Sequence, residues 1–219
     1  MKYMNSIAYK WIIALTGWAW ALFVMTHMIG NMLIFVGAKA YNTYSHFLVS
    51  NPLIYIAEAG LVLTILGHSF TGLFLFFKNR YCSKPLTYSV KPTRNKGASF
   101  SSQSMAYTGS FMLAFLITHL ITFKYGSLYM VKYEDKEMRD IFRLVVEVFN
   151  NPNYVIWYII SLFFVGVHLS HGVSSGFQSL GLIRGKSRDI IRIVGYFYAI
   201  IVALGFMAQP IFVYFFYRG

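Results

Sequence analysis

Five apolar runs divide the chain, at about 11–36, 53–77, 105–123, 154–180 and 191–216, with polar segments between them. At a helical rise of about 1.5 Å per residue, each is long enough to cross a hydrocarbon core of about 30 Å. Asn51-Pro52 stands before the second run and Asn151-Pro152 before the fourth, and both pairs read as helix starts. Gln209-Pro210 falls inside the fifth, which predicts a kink there. Between the third and fourth runs, Ile141, Leu144, Val145 and Val148 recur at helical spacing within a polar segment, 134–150. That pattern predicts a short amphipathic helix lying on the membrane. The expected fold is all-α: an integral membrane bundle of five transmembrane helices, with residues 1–219 forming a single domain. The sequence reads as free of internal repeats, low-complexity runs and glycine motifs for nucleotides.

Composition agrees with the pattern: 57% of the residues are hydrophobic and 12% are charged. Lys2 and Lys10 precede the first run, and Ala38-Lys39-Ala40 resembles a signal-peptide cleavage site. The stretch from Trp11 to about Val36 is nevertheless far longer than a signal core of about 7–15 residues, so it is read as a true span. Cys82 is the sole cysteine. It excludes an internal disulfide, a cysteine-ligated iron–sulfur cluster and covalent haem attachment through Cys-x-x-Cys-His.

The net charge of +12 is placed asymmetrically. Lys2, Lys10, Lys78, Arg80, Lys84, Lys91, Arg94, Lys96, Arg184, Lys186, Arg188 and Arg192 fall on one side of the expected bundle, opposed only by Asp189. The other side mixes its basic residues with Glu134, Asp135, Glu137, Asp140 and Glu147. The lysine and arginine bias puts the N-terminus in the cytoplasm and the C-terminus outside. The basic surplus is thus a cytoplasmic face suited to anionic lipid or a soluble partner, and no nucleic-acid partner is expected.

The first four spans each carry one deep histidine: His27, His68, His119 and His168. An ionisable side chain inside a membrane is costly and usually functional. Spans one and three run outward, so His27 and His119 lie near the outer surface. Spans two and four run inward, so His68 and His168 lie near the cytoplasm. Two imidazole pairs follow, with layers expected about 10–15 Å apart. Paired imidazoles on facing helices are what a non-covalent b-type haem needs, one axial nitrogen on each face of the iron. Two haem b groups are therefore expected, with interhelical hydrogen bonding or a proton relay as the competing use of these histidines. Gly30, Gly72 and Gly172, one turn after His27, His68 and His168, offer room for a porphyrin face or for close helix packing. His171 lies one turn beyond His168 and is the alternative ligand or a contact to a haem propionate. His46 falls in an outer loop and is not expected to be a ligand, and the ten methionines scatter without a ligand pattern. Glu58 is the one acid within a span. It is expected near the outer pair, either as a solvated interfacial carboxylate or as a proton carrier for a quinone.

Three segments carry a family resemblance. They are Asn51-Pro52-Leu53-Ile54-Tyr55-Ile56-Ala57-Glu58, the run from Arg143 to Phe149 leading to Asn151-Pro152, and Val167-His168-Leu169-Ser170-His171-Gly172 leading to Phe177-Gln178-Ser179-Leu180-Gly181. With the histidine spacing, the chain resembles the five-helix dihaem cytochrome b membrane subunit of succinate dehydrogenase and fumarate reductase, in the single-subunit form found in bacteria. The resemblance implies a multi-pass protein of the bacterial cytoplasmic membrane that docks a flavoprotein and an iron–sulfur subunit on its cytoplasmic face. It implies electron transfer from the clusters through an inner haem on His68 and His168 and an outer haem on His27 and His119 to a quinone, usually menaquinone. It also implies that basic residues such as Lys78, Arg80 and Arg184 pair with haem propionates. Some members carry a glutamate two residues before the fourth-span ligand for compensating proton transfer. Here that position is Gly166, which puts such a route in doubt. The alternatives are the cytochrome b subunit of a hydrogenase or formate dehydrogenase, or a haem-free transporter or proton channel.

Overall fold

The computed structural model describes residues 6–78, 100–183 and 187–217. Cys82 and most of the basic positions singled out above (Lys2, Arg80, Lys84, Lys91, Arg94, Lys96, Arg184 and Lys186) lie outside the described residues. Five helices are long and apolar enough to span a membrane. They are α1 (Ser6–Asn31, extended by a 3-10 turn, Met32–Phe35), α3 (Leu53–Phe77), α4 (Phe100–His119, extended by a π turn, Leu120–Lys124), α6 (Pro152–Ser179) and α7 (Ser187–Phe216). The chain is a multi-pass helical membrane protein. Its outward faces fit a lipid surround, since Leu22, Leu63, Phe70 and Phe163 are all more than half exposed on the isolated chain.

The spans begin and end on local chemistry. The Asn51 side chain accepts from the Leu53 amide at 3.0 Å, and the Asn151 side chain accepts from the Asn153 amide at 2.9 Å. In both, the following proline has no amide hydrogen to leave unpaired in the first turn. Proline at 210 does not end α7, which continues to Phe216, and Pro210 is itself buried.

Helices α1, α3, α4 and α6 form a ring in which α1 packs on α3 and α6, α4 packs on α6, and α3 meets α4 only lightly. The two diagonals are therefore α1 with α4 and α3 with α6. Helix α7 lies outside the ring against α6 and α1. Small residues let α6 and α7 approach: Gly166, Ser170 and Ser174 recur every fourth residue on one, Gly195, Ala199 and Ala203 on the other. A Cβ at Gly166 would come within 3.1 Å of the Ala203 Cβ, and one at Gly195 within 3.5 Å of the Ser174 amide nitrogen. Gly166 thus serves helix packing.

One end of the bundle carries a lid that the hydrophobic pattern does not reveal. The segment expected as a loop around His46 is a helix, α2 (Ala38–Val49). It is launched from Gly37, whose φ of 125° suits glycine. The short amphipathic helix expected within 134–150 is α5 (Ile141–Phe149), and a two-stranded antiparallel ribbon not foreseen, β1 (Met130–Tyr133) and β2 (Lys136–Arg139), precedes it. The apolar face of α5 does not rest on lipid. Phe142, Val145 and Phe149 are buried with Ile34, Tyr41, Tyr158 and Val213, so α5 closes the end of the bundle.

Buried Asn42 ties the lid together. Its amide donates to the Asp140 carboxylate at 2.8 Å, and its carbonyl accepts from the Phe142 amide at 2.9 Å. Asp140 also caps α5 by accepting from the Arg143 amide at 3.0 Å. Lys39 donates to Glu134 at 2.8 Å on the exposed rim. That bond raises the Lys39 pKa and lowers that of Glu134.

Candidate paired-histidine site

The four span histidines meet across the two diagonals of the ring. On α1 and α4, the His27 and His119 ring centroids are 5.9 Å apart, at an interplanar angle of 87°. On α3 and α6, the His68 and His168 centroids are 6.4 Å apart, at 69°. All four side chains are part-buried. Two imidazoles on opposite faces of one metal, each bonded at about 2.0–2.1 Å, place their ring centroids about 6.4 Å apart. Both separations fit that requirement. Among the described residues, no three or more His, Cys, Asp or Glu side chains gather as a site for a bare metal ion.

Each ring is held by its neighbours. The Thr16 hydroxyl on α1 lies 3.1 Å from the Nδ1 of His68, and the Thr108 hydroxyl on α4 lies 3.1 Å from the Nδ1 of His168. On the other pair, the Tyr158 hydroxyl on α6 lies 3.1 Å from the Nδ1 of His119. Three of the four rings thus set Nδ1 against a hydroxyl. His27 is held differently. Phe23 stacks on it at 5.3 Å between centroids, and the Asn31 amide lies 3.4 and 3.5 Å from its two ring nitrogens. The Tyr41 hydroxyl of the lid donates to the Asn31 side-chain oxygen at 2.5 Å. Burial raises the Tyr41 pKa, which keeps that hydroxyl protonated.

The levels of the two pairs follow from these contacts. Thr16, level with His68, and His27 are eleven residues apart on α1, and Thr108 and His119 are eleven apart on α4. Tyr158, level with His119, and His168 are ten apart on α6. All three rulers put the layers about 15–16.5 Å apart, at or just beyond the far end of the expected range.

The contacts also expose an internal repeat, contrary to the expectation of none. Thr16-Gly17 with His27, then Asn51-Pro52 with Glu58 and His68, matches Thr108-Gly109 with His119, then Asn151-Pro152 with Tyr158 and His168. Within α1 and α4, and within α3 and α6, the spacings are identical. Phe23, Thr26, Ile29, Ile56, Gly72 and Phe77 also match their counterparts, while most other positions in the helices differ, so the repeat is faint in overall similarity. The spaced Thr-Gly and Asn-Pro pairs were the signal that would have found it.

The remaining candidates have definite places. His171 lies one turn beyond His168, and the ring that meets His68 is that of His168. His46 sits on α2 with its Nε2 3.3 Å from the Ser50 hydroxyl. Glu58 occupies the register that Tyr158 occupies in the other half, and it pairs with Lys124, at the end of the π turn, at 2.5 Å. Of the expected spacer glycines, Gly30 is filled by Tyr44, whose ring would lie 2.7 Å from a Cβ there. Gly72 has nothing within 4 Å, and Gly172 has only the Met105 methyl at 4.0 Å. The glycines beside the rings are two that sequence reading passed over: Gly17 against His68 and Gly109 against His168.

Comparison with models of protein families, with curated proteins and with solved structures finds no match.

Proposed function

We propose that this chain is the dihaem membrane subunit of a succinate:quinone oxidoreductase, in the bacterial cytoplasmic membrane. The observation that carries the haem reading is the pair of imidazole–imidazole separations, 5.9 and 6.4 Å, on the two diagonals of one four-helix ring. His27 with His119 and His68 with His168 would each hold one haem b. The chemistry that haem supplies at each level is one-electron transfer. The protein's own part is to fix the imidazoles, to hold the two levels apart on rigid helices and to surround them with apolar side chains.

The assignment to succinate and fumarate chemistry rests on the three sequence segments that resemble that family. On this reading the end of the bundle with the N-terminus of α1 faces the cytoplasm. There Lys10, Lys78, Arg188 and Arg192 stand at the ends of α1, α3 and α7, beside the loops that would meet an iron–sulfur subunit with its flavoprotein partner. The lidded end would face outward and accommodate a quinone beside Glu58. Glu58 shares the register of Tyr158, hence the level of the His27–His119 pair, and is the carboxylate best placed to exchange a proton with that quinone. Its carboxylate forms an ion pair with Lys124.

The test is purification with partners retained. The expected result is a reduced-minus-oxidised b-type spectrum with two redox steps, together with a flavoprotein and an iron–sulfur protein that oxidise succinate. A colourless protein ends the haem reading. Two haems with a different soluble partner keep it and replace the substrate.

A further inference from the structure

We propose that Thr16 and Thr108 are positioning residues that present the Nε2 lone pairs of His68 and His168 to the haem iron, in a Thr-Gly cradle used twice. The inference rests on the dihaem reading and names what orients two of its ligands.

The direction of each hydrogen bond follows from its neighbours. The Thr16 hydroxyl donates to the Ile12 carbonyl at 2.5 Å, and the Thr108 hydroxyl donates to the Ser104 carbonyl at 3.1 Å. With its proton committed, each oxygen accepts from the imidazole. Two other threonines of this bundle show the same use without ambiguity, because an indole N–H can only donate. The Trp20 indole donates to Thr64 at 3.1 Å while Thr64 donates to the Gly60 carbonyl, and the Trp157 indole donates to Thr118 at 3.3 Å while Thr118 donates to the Phe115 carbonyl. His68 and His168 therefore carry the proton on Nδ1, with the Ile13 carbonyl a second acceptor for the His68 ring, and Nε2 is the nitrogen left to ligate. An oxygen that accepts from Nδ1–H also makes the imidazole more basic, which favours the ferric state.

The glycine beside each threonine sets the ring's position. A Cβ at Gly17 would lie 3.1 Å from the Cε1 of His68, and a Cβ at Gly109 would lie 3.3 Å from the Cε1 of His168. Both rings rest against backbone where a side chain would displace them. Threonines in membrane helices often bond their own preceding turn, so one such contact would be packing. The same dipeptide, with the same ring atoms, on helices related by the internal repeat is a built arrangement.

The experiment uses the complex in membranes. Thr16→Val and Thr108→Val remove the hydroxyl at nearly constant volume, and the Thr→Ser variants keep it. Haem content, the two midpoint potentials and the ferric electron paramagnetic resonance signals are measured for each. The valine variants should weaken retention of the haem on His68 and His168 by about 10–100-fold. They should raise its midpoint, by about 59 mV for a tenfold change in ferric preference. The haem on His27 and His119 should keep its signal, and serine should restore the values. Gly17→Ala and Gly109→Ala leave both hydroxyls in place and should shift the same ferric signal, which reads the inference even where a valine variant fails to accumulate. Unmoved signals in both arms, or a valine effect that serine does not restore, would overturn the positioning role and leave the two-haem reading standing. A wild-type complex without haem would overturn both.

Discussion

At the scale of single residues, the arrangement depends on what each imidazole nitrogen is given to do. His68 and His168 each have a threonine at Nδ1, His119 has Tyr158, and His27 has an aromatic face and an amide. On the dihaem reading, replacing His68 or His168 with alanine should remove one b-type signal, and replacing His27 or His119 should remove the other. His171→Ala should retain both. Loss of a haem from that variant, with both kept in His168→Ala, would move the ligand by one turn. The histidines were legible in the sequence because charge-capable groups stand out in apolar runs. Their holders were not, because a threonine or a tyrosine in a membrane helix has many uses, and only the fold says which ring it meets. Glu58 belongs to the same scale. Glu58→Gln should keep both haem spectra and succinate oxidation by an artificial acceptor while slowing quinone-linked turnover. Unchanged quinone turnover would leave Glu58 as a strut that pins α3 to α4 through Lys124.

At the scale of elements, helix length and composition sufficed for the five spans, while the lid escaped. The alternation of apolar positions in 134–150 correctly marked a helix with one buried face, but periodicity cannot say whether lipid or protein buries it. Here the face meets Ile34, Tyr41 and Tyr158. The ribbon before it has four-residue strands with exposed charges and no apolar stripe to read. Asn42 is what an apolar lid interface would otherwise lack: a buried side chain that satisfies a carboxylate and a helix-end amide at once. Asn42→Leu should strand both partners and lower lid stability by about 1–3 kcal/mol. Thermal unfolding in detergent, with proteolysis of the ribbon as a local probe, would show it. Equal protease resistance in the variant and the wild type would mean the lid is held by apolar packing alone. The α6–α7 seam is subject to the opposite error, overfilling. Gly166→Leu should push α7 away, at about 1–3 kcal/mol or more, whereas an acid at this position would be forced into the same seam.

At the scale of the whole molecule, the dihaem reading makes the two pairs redox levels in a bilayer, and their separation then sets how strongly they feel its voltage. The three helical rulers give about 15–16.5 Å, roughly half of a hydrocarbon core of about 30 Å. A unit charge crossing the full core exchanges about 2.3 kcal/mol with a potential of 100 mV. Moving an electron from one level to the other should therefore exchange about half of that, roughly 1.2 kcal/mol, if no proton moves with it. Gly166, packed on Ala203, places no acid at the position where such a proton route is implied by the resemblance. The measurement is made on sealed vesicles held at a fixed ambient redox potential between the two midpoints. A potassium diffusion potential of 100 mV should then shift the two b-type signals unequally, by about sevenfold to eightfold in the equilibrium ratio between them. Reversing the sign of the potential should reverse the change. Variants that lose one pair should lose the effect, since a single level has no partner across the voltage. A wild-type ratio that ignores the potential would mean that the levels lie at equal depth or that a proton accompanies each electron by a path other than the one through position 166.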